Sequence, residues 1–304
     1  MVSIIIPLYN GEGVIDECIR SILKSSITYD YEILIIDDKS TDSSFDIAKK
    51  YIRGNIILLQ NGKNLGFAKT IMRGVDNARG EIVVLLNMDT VVEDGWLEGL
   101  VRPLKMQEGI GITGSKILYM NGRDIQHAGG FVDEIALSHH IGRGEKDTGQ
   151  YNDEKEVEYV CGASLACRKE LFKRIGGLDS GYSPLYYEEI DVAHRFRMAG
   201  YKIMYIPSSR LRHHERYTSR YANRIRSSYY VTRNRLRYVF KNYPLIKITH
   251  KFVRYEIKYF FQSSPKKRVF LLMVYLYNLF RLPEIFLIRS KEKKRIDSIK
   301  EMLL

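Results

Sequence analysis

The sequence predicts an α/β fold, a mostly parallel, Rossmann-like central sheet flanked by helices, with a helical, basic C-terminal extension. Three observations carry this. Apolar strands and amphipathic helices alternate through roughly the first 110 residues. The strands are continuous apolar runs, the pattern of strands covered on both faces. Charge is also split. Residues 1–200 hold 23 Lys+Arg against 30 Asp+Glu, and residues 201–304 hold 25 against 6. A mildly acidic body therefore carries a basic last third, an asymmetry that points to nucleic acid or an anionic membrane.

Each element follows in order. SIIIPLYN is a short apolar strand, and GVIDECIRSILKSS is a helix with apolar residues at 14, 15, 19, 22 and 23. YEILIIDDKSTD is a second strand ending in acidic and hydroxyl residues. SSFDIAKKYI, NIILLQN, GFAKTIMRGVDNA and EIVVLLNMD continue as helix, strand, helix, strand. Ligands of such sheets sit at the carboxyl ends of the strands. Those ends read Pro7-Leu8-Tyr9-Asn10, Asp37-Asp38, residues 61–64 and Asn87-Met88-Asp89, which brings polar groups from four strands to one rim. From about residue 110 the chain is Gly-rich with short alternating stretches, expected as antiparallel strands and turns. The polar, Gly-rich residues 138–156 read as a mobile loop that closes over the rim and excludes water. VEYVCGASLACRKELFKRIGG reads as strand, turn and helix, EEIDVAHRFRMAGY as a helix, and KIMYIP as a strand.

The tail from about residue 222 is helical, basic and aromatic. Lys247, Lys251, Arg254 and Lys258 form one stripe, and Ile246, Val253, Ile257 and Phe260 line another face. Two readings stand: a helical subdomain packed on the body, or contact with a membrane surface. The apolar run VFLLMVYLYNLF spans 12 residues before Arg281, short of the ~20 a bilayer requires. Cys18, Cys161 and Cys167 form no zinc or redox spacing, which suits a reducing compartment. Met1 leads directly into an apolar strand without a basic leader. The expected location is the cytoplasm, with the tail able to hold the protein at the membrane's cytoplasmic face.

Asn87-Met88-Asp89 ends a strand that reads as fully buried. A turn would explain it, and so would a cation site for a nucleotide's phosphates. No G-x-G-x-x-G cradle and no Walker lysine is present, so a bound diphosphate would need a divalent cation to offset its charge.

SIIIPLYN, EILIIDDKSTDSS, NLGFAKT with ARGEIVVLLNMDT, VCGASLACRKELFKRIGGLD, YYEEIDVAHRFRMAGY and RHHERYTS resemble, in order and over roughly residues 1–240, the successive blocks of glycosyltransferase family 2, nearest to its rhamnosyltransferase-like branch. The resemblance implies a GT-A fold and inverting hexosyl transfer from a nucleotide-activated sugar. It implies a catalytic domain over 1–240, with a nucleotide-sugar half over 1–110 and an acceptor half over 111–240, and an extension over 241–304. Pro7, Tyr9 and Asp37 match positions that hold the base and ribose, and Asn64 matches a block lining the donor site. Asp38 reads equally as a turn or cap residue. Asn87 and Asp89 match the metal motif. With Asn87 in place of a carboxylate, Asp89 is the strong ligand and Asn87 falls to ribose or water. The donor's phosphates would complete the shell of Mg2+ or Mn2+. The late histidine of the family is His213 or His214, with His213 preferred.

The base of the inverting reaction falls in Glu188-Glu189. Glu189 takes the family's position, shares a helix face with Ala193 and Phe196, and sits in a first turn where the helix dipole favours the ionised form. Glu188 remains the alternative and would otherwise bond the acceptor. Asp191, four residues before Arg195, suits a structural ion pair. Trp96 and Gly162-Ala163-Ser164 would line the acceptor side, although Trp96 reads equally as a core aromatic. The expected partners are a nucleotide-sugar donor, UDP- or dTDP-linked, and a glycan or lipid-linked acceptor of cell-surface polysaccharide or glycoprotein-glycan synthesis. The alternative is a nucleic-acid- or membrane-binding protein using the basic third without transferase activity. No nucleic-acid motif supports the first of these.

Overall fold

The structure is a computed structural model that describes residues 1–215 and 224–301, with the side chains of residues 224, 225, 226 and 247 also left aside. The final residues of the RHHERYTS block and the Lys247 position of the basic stripe thus lie outside the described residues.

Strands β1 (Val2–Leu8), β2 (Tyr31–Asp37), β3 (Ile56–Gln60) and β4 (Ile82–Leu86) alternate with helices α1 (Ile15–Lys24), α2 (Ser44–Lys49) and α3 (Phe67–Asn77). They pair in parallel, in the order β3-β2-β1-β4. Successive residues of β1 face opposite sides. Ile5 joins one core with Leu34, Ile36 and Ile71, whereas Ile4 and Ile6 join a second with Ile15, Ile19 and Ile35. Burial on both faces explains why these strands read as unbroken apolar runs. Gly74 on α3 permits close packing, since a Cβ there would stand 2.4 Å from Ile5.

The second half continues the same sheet. After β5 (Thr90–Val92) and α4 (Trp96–Met106) comes β6 (Ile110–Tyr119), then β7 (Ile125–His127), β8 (Gly130–Val132), β9 (Ser138–His140), β10 (Lys155–Glu156) and β11 (Ser164–Arg168). Helices α5 (Lys169–Arg174) and α6 (Glu188–Met198) precede β12 (Lys202–His213). Strand β11 pairs antiparallel with both β4 and β6, and β12 lies parallel to β6. The sheet therefore runs β4-β11-β6-β12-β10 without a break. The short antiparallel strands expected after residue 110 begin instead with a ten-residue strand buried almost throughout. Gly111 and Gly114 allow this, because Phe196 and Val160 pack where their side chains would be.

Residues 138–156 are not a free lid. Lys116, fully buried on β6, donates to Asp147 at 2.7 Å and Asn152 at 2.9 Å, and Tyr205 donates to the Tyr151 carbonyl at 2.9 Å. A buried ammonium needs such partners, so composition alone misread a tethered segment as mobile.

The C-terminal helices are α7 (Arg224–Asn242), α8 (Leu245–Lys247), α9 (Val253–Gln262) and α10 (Pro265–Glu301), with a π-helical turn at Ile248–Phe252. Helix α7 runs through residue 240. One face of α10 packs on α7, and the helix continues past Arg281 for a total of 37 residues. It is long and apolar enough to cross a membrane by length and composition, which corrects the shorter estimate from its apolar run. Beneath α6, Lys241 contacts Asp179 at 3.0 Å, Asp191 at 2.8 Å and Glu292 at 2.7 Å. Arg195 pairs with Asp191 at 2.8 Å, as its spacing suggests. Burial would raise the Asp191 carboxyl, but Lys241 and Arg195 hold it well below the usual range. Lys241→Met strands these carboxylates and is expected to cost about 3–5 kcal/mol of stability in denaturant titrations.

Candidate active site

The sheet's carboxyl rim gathers the predicted residues. Tyr9 follows β1 and is exposed, Pro7 is half-buried, and Asn64 is exposed in the loop after β3. Asp37 is fully buried and accepts from Gln60 Nε2 at 2.9 Å and from the Ser40 N–H at 3.3 Å. Asp38 accepts from Asn61 Nδ2 and the Leu65 N–H, both at 2.7 Å, and from the Gly66 N–H at 2.8 Å. Asp38 thus shapes the loop that carries Asn64, which is the structural alternative considered for it.

Asp89 lies one residue before β5, and His213 ends β12. The register Thr90 to His213 brings them together, with Asp89 Oδ1 3.1 Å from His213 Nε2. His214 turns away to Glu17, 3.6 Å distant, while its N–H donates to the Asp89 carbonyl. His213 is therefore the histidine that faces the carboxylate. On its other side His213 Nδ1 lies 3.0 Å from Gln126 Oε1. The amide oxygen only accepts, so Nδ1 carries the proton. On a neutral ring Nε2 then turns a lone pair toward the carboxylate. Two acceptors this close need a proton or a cation between them.

Their spacing is that of neighbouring ligands on a cation bonded at about 2.0–2.1 Å, and an imidazole whose other nitrogen donates outward is the usual metal-binding arrangement. Among the described residues no cluster of three or more His, Cys, Asp or Glu could hold a metal. The pair fits a magnesium- or manganese-like cation only if ligand oxygens and water supply the rest of the shell.

Asn87 is half-buried, and its N–H donates to the Ala163 carbonyl at 3.0 Å, joining the end of β4 to the segment entering β11. Gly162 lies beside Glu189, and a Cβ on it would stand 3.6–3.9 Å from the Glu189 side chain. The neighbouring Cys161 N–H donates to His127 Nε2 at 3.0 Å, and His127 Nδ1 meets His140 Nδ1 at 2.8 Å. Burial holds His127 well below the usual imidazole range and His140 at about 4. This neutral pair fixes the backbone next to Glu189. Neither His127 nor Gln126 stood out in the sequence, although both lie in one short stretch, IQHAGG.

Glu188 and Glu189 open α6, after Tyr186 and Tyr187 at φ 81° and 77°. Two successive non-glycine residues in the left-handed region are costly and require outside support. Helix α7 supplies it. The Asn234 amide donates to the carbonyls of Tyr182, Leu185 and Tyr186 at 2.7, 3.0 and 2.9 Å. Arg233 donates to those of Tyr182 and Ser183. Burial, with Glu189 beside it, pushes Glu188 well above the carboxylate range, and burial pushes Glu189 up to about 7. Desolvation outweighs the helix dipole, against the expectation of a favoured ionised form. One Glu188 oxygen is buried with no hydrogen-bond partner among the described residues.

Trp96 does not line the site. It is fully buried and donates to Ser164 Oγ at 2.9 Å, and Ser164 is itself bonded to Ser115 at 2.8 Å. Its large ring completes the core below α4, which corrects its acceptor-side assignment.

The glycosyl transferase family 2 model matches residues 3–176, more than half the chain. The chain belongs to this family. Its relatives include the glycosyltransferase GlyG of Streptococcus pneumoniae, 23% identical over 68% of each chain. The O-antigen biosynthesis protein RfbC of Myxococcus xanthus is 25% identical over 70% of this chain and 17% of its own. The poly(ribitol-phosphate) beta-glucosyltransferase of Bacillus spizizenii is 32% identical over 41% of this chain and 20% of its own. The chain thus spans about a fifth of the length of several of its relatives. Among solved structures, S. aureus TarS 1-349 in complex with UDP-GlcNAc aligns at a TM-score of 0.63 and 16% identity, covering 99% of this chain and 90% of TarS 1-349. GalNAc-T7 with UDP, GalNAc and Mn2+ aligns at 0.66 and 20% identity, covering 87% and 51%. The fold is GT-A.

Asn234→Ala is expected to lower kcat by about tenfold while leaving nucleotide affinity unchanged, because it frees the turn carrying the two glutamates. Asn234→Gln restoring the rate would mark a positioning role; parallel losses in kcat and nucleotide binding would mark a general packing defect.

Proposed function

We propose that this chain is an inverting glycosyltransferase that moves a hexosyl group from a nucleoside-diphosphate sugar, UDP- or dTDP-linked, to a hydroxyl of a glycan or lipid-linked acceptor. The observation that carries the reading is the placement of Glu189 beside Gly162, on the segment whose next residue bonds Asn87 at the entrance to the Asp89–His213 pair. A family-2 domain supports the donor class, and GalNAc-T7 and the Pyrobaculum calidifontis mannosyltransferase PcManGT were each solved with a nucleotide or nucleotide sugar and Mn2+.

Asp89 and His213 would hold a divalent cation, which when bound offsets the negative charge of the departing diphosphate. Tyr9, Pro7, Asp37, Asn64 and Asn87 would receive the nucleoside along the rim. Glu189 takes the proton from the acceptor hydroxyl as that oxygen attacks the anomeric carbon in line and the bond to the nucleoside diphosphate breaks. Burial and the adjacent Glu189 push the Glu188 carboxyl well above the usual carboxylate range, away from the ionised form a base needs. That leaves Glu189 as the base and Glu188 as a hydrogen-bonding partner for the acceptor, through its unpartnered oxygen. Cell-surface glycan assembly on the cytoplasmic side of a membrane is the setting that suits such an acceptor.

A thermal-shift panel of nucleoside diphosphates and their sugars tests the donor assignment. Manganese-dependent stabilisation by at least one is expected, and Asp89→Ala should lose it. No stabilisation by any nucleoside diphosphate with metal present would remove the reading. The base must be ionised, so the transfer rate should rise with pH through about 7 and level above it. Glu189→Gln should lower kcat by about 10²–10⁴-fold with donor binding retained; a rate equal to wild type would eliminate Glu189 as the base.

A further inference from the structure

Helix α10 has two apolar sides. Leu271, Val274, Asn278, Ile285, Glu292 and Ile299 point inward at heptad-like spacing. On the other side, Val269, Leu272, Met273, Leu276, Leu279 and Phe280 recur every three or four residues and are open, with Val269 62%, Leu279 58% and Phe280 80% exposed. A helix that is apolar all round requires an apolar partner on each side. Helix α9, tied to α10 by Tyr275 Oη donating to Glu256 at 2.8 Å, adds exposed Val253, Ile257 and Phe261 at i, i+4 and i+8.

Charge identifies the partner. Residues 245–301 carry 14 Lys+Arg against 5 Asp+Glu. Two of those acids are turned inward, Glu256 to Arg235 and Glu292 to Lys241, and Glu284 pairs with Arg281 at 2.6 Å. The exposed rim is left basic, with Arg254, Lys258, Lys266, Lys267, Lys293 and Lys294. We infer that the open face of α9 and α10 is an interfacial docking surface for an anionic membrane, with α10 lying in the plane of the headgroups and not crossing it.

Crossing is opposed by the inward side. Asn278 Nδ2 donates to the Arg233 carbonyl at 3.2 Å, and Arg289 donates to the carbonyls of Phe240 and Tyr243 at 3.0 and 2.7 Å. A spanning α10 would either draw the Arg- and Lys-bearing α7 into hydrocarbon or break these bonds and the Lys241 cluster. A second copy of the chain fits poorly, since its equally basic rim would face this one.

Flotation of the full chain with phosphatidylcholine vesicles, with and without phosphatidylglycerol, tests the inference without any donor, so its result is separate from that of the transferase reading. Binding to the anionic vesicles, weakened by salt and released by alkaline carbonate, is expected. The triple variant Leu272→Ser, Leu279→Ser, Phe280→Ser should reduce the bound fraction by more than about tenfold while leaving the thermal midpoint and nucleotide-induced stabilisation intact. The double variant Lys266→Glu, Lys267→Glu is a milder probe and should weaken binding to anionic vesicles alone. Absence of flotation by the wild-type chain, unchanged flotation of the triple variant, resistance to carbonate, or a dimer abolished by the same substitutions would each overturn it.

Discussion

The arrangement depends on a cluster of desolvated charges beneath α6. Lys241, Arg195 and Arg237 face Asp179, Asp191 and Glu292 in a space closed to water. Burying any one of these ions alone would be prohibitive, and together they are tolerable only in one geometry. That geometry joins the turn at Asp179 and the helix that starts with Glu188-Glu189 to the distant C-terminal helices α7 and α10. The basic tail is for this reason packed into the body of the fold. Through Arg233 and Asn234 it also holds the left-handed Tyr186-Tyr187 turn from which both glutamates project.

The antiparallel strand β11 provides the complementary constraint. By entering the sheet between β4 and β6 it brings its leading residues, not its trailing ones, to the rim where the parallel strands end. Gly162 and Ala163 therefore meet Glu189 on one side and Asn87 on the other, and the neutral His127–His140 pair behind Cys161 keeps that backbone in place. A small residue at 162 leaves room next to the carboxylate. The two glutamates then divide by environment. The more enclosed one is pushed far up, and its neighbour is pushed only to about 7, close to where a general base is most effective.

The parts legible in the sequence were those set by local pattern. Unbroken apolar runs such as IIIPL and ILIID report strands with neighbours on both faces, and the polar residues after them report the rim. This periodicity by itself determined the four parallel strands and their helices, and it marked Asn87-Met88-Asp89 as polar residues at a strand end. Family blocks extended that to Glu189 and Gly162. Periodicity said little about α4, whose Pro103 interrupts the helical signal, or about β6, whose glycines disguise a long buried strand as turns. The choices left to tertiary structure each turn on a contact more than 30 residues away. His213 rather than His214 faces Asp89 because of the β5–β12 register. Trp96 is core because Ser164 receives its N–H, and residues 138–156 are tied because buried Lys116 donates to Asp147 and Asn152. The side of α10 that stays open was decided only by which of its two apolar faces α7 covers, a matter of packing that composition cannot express.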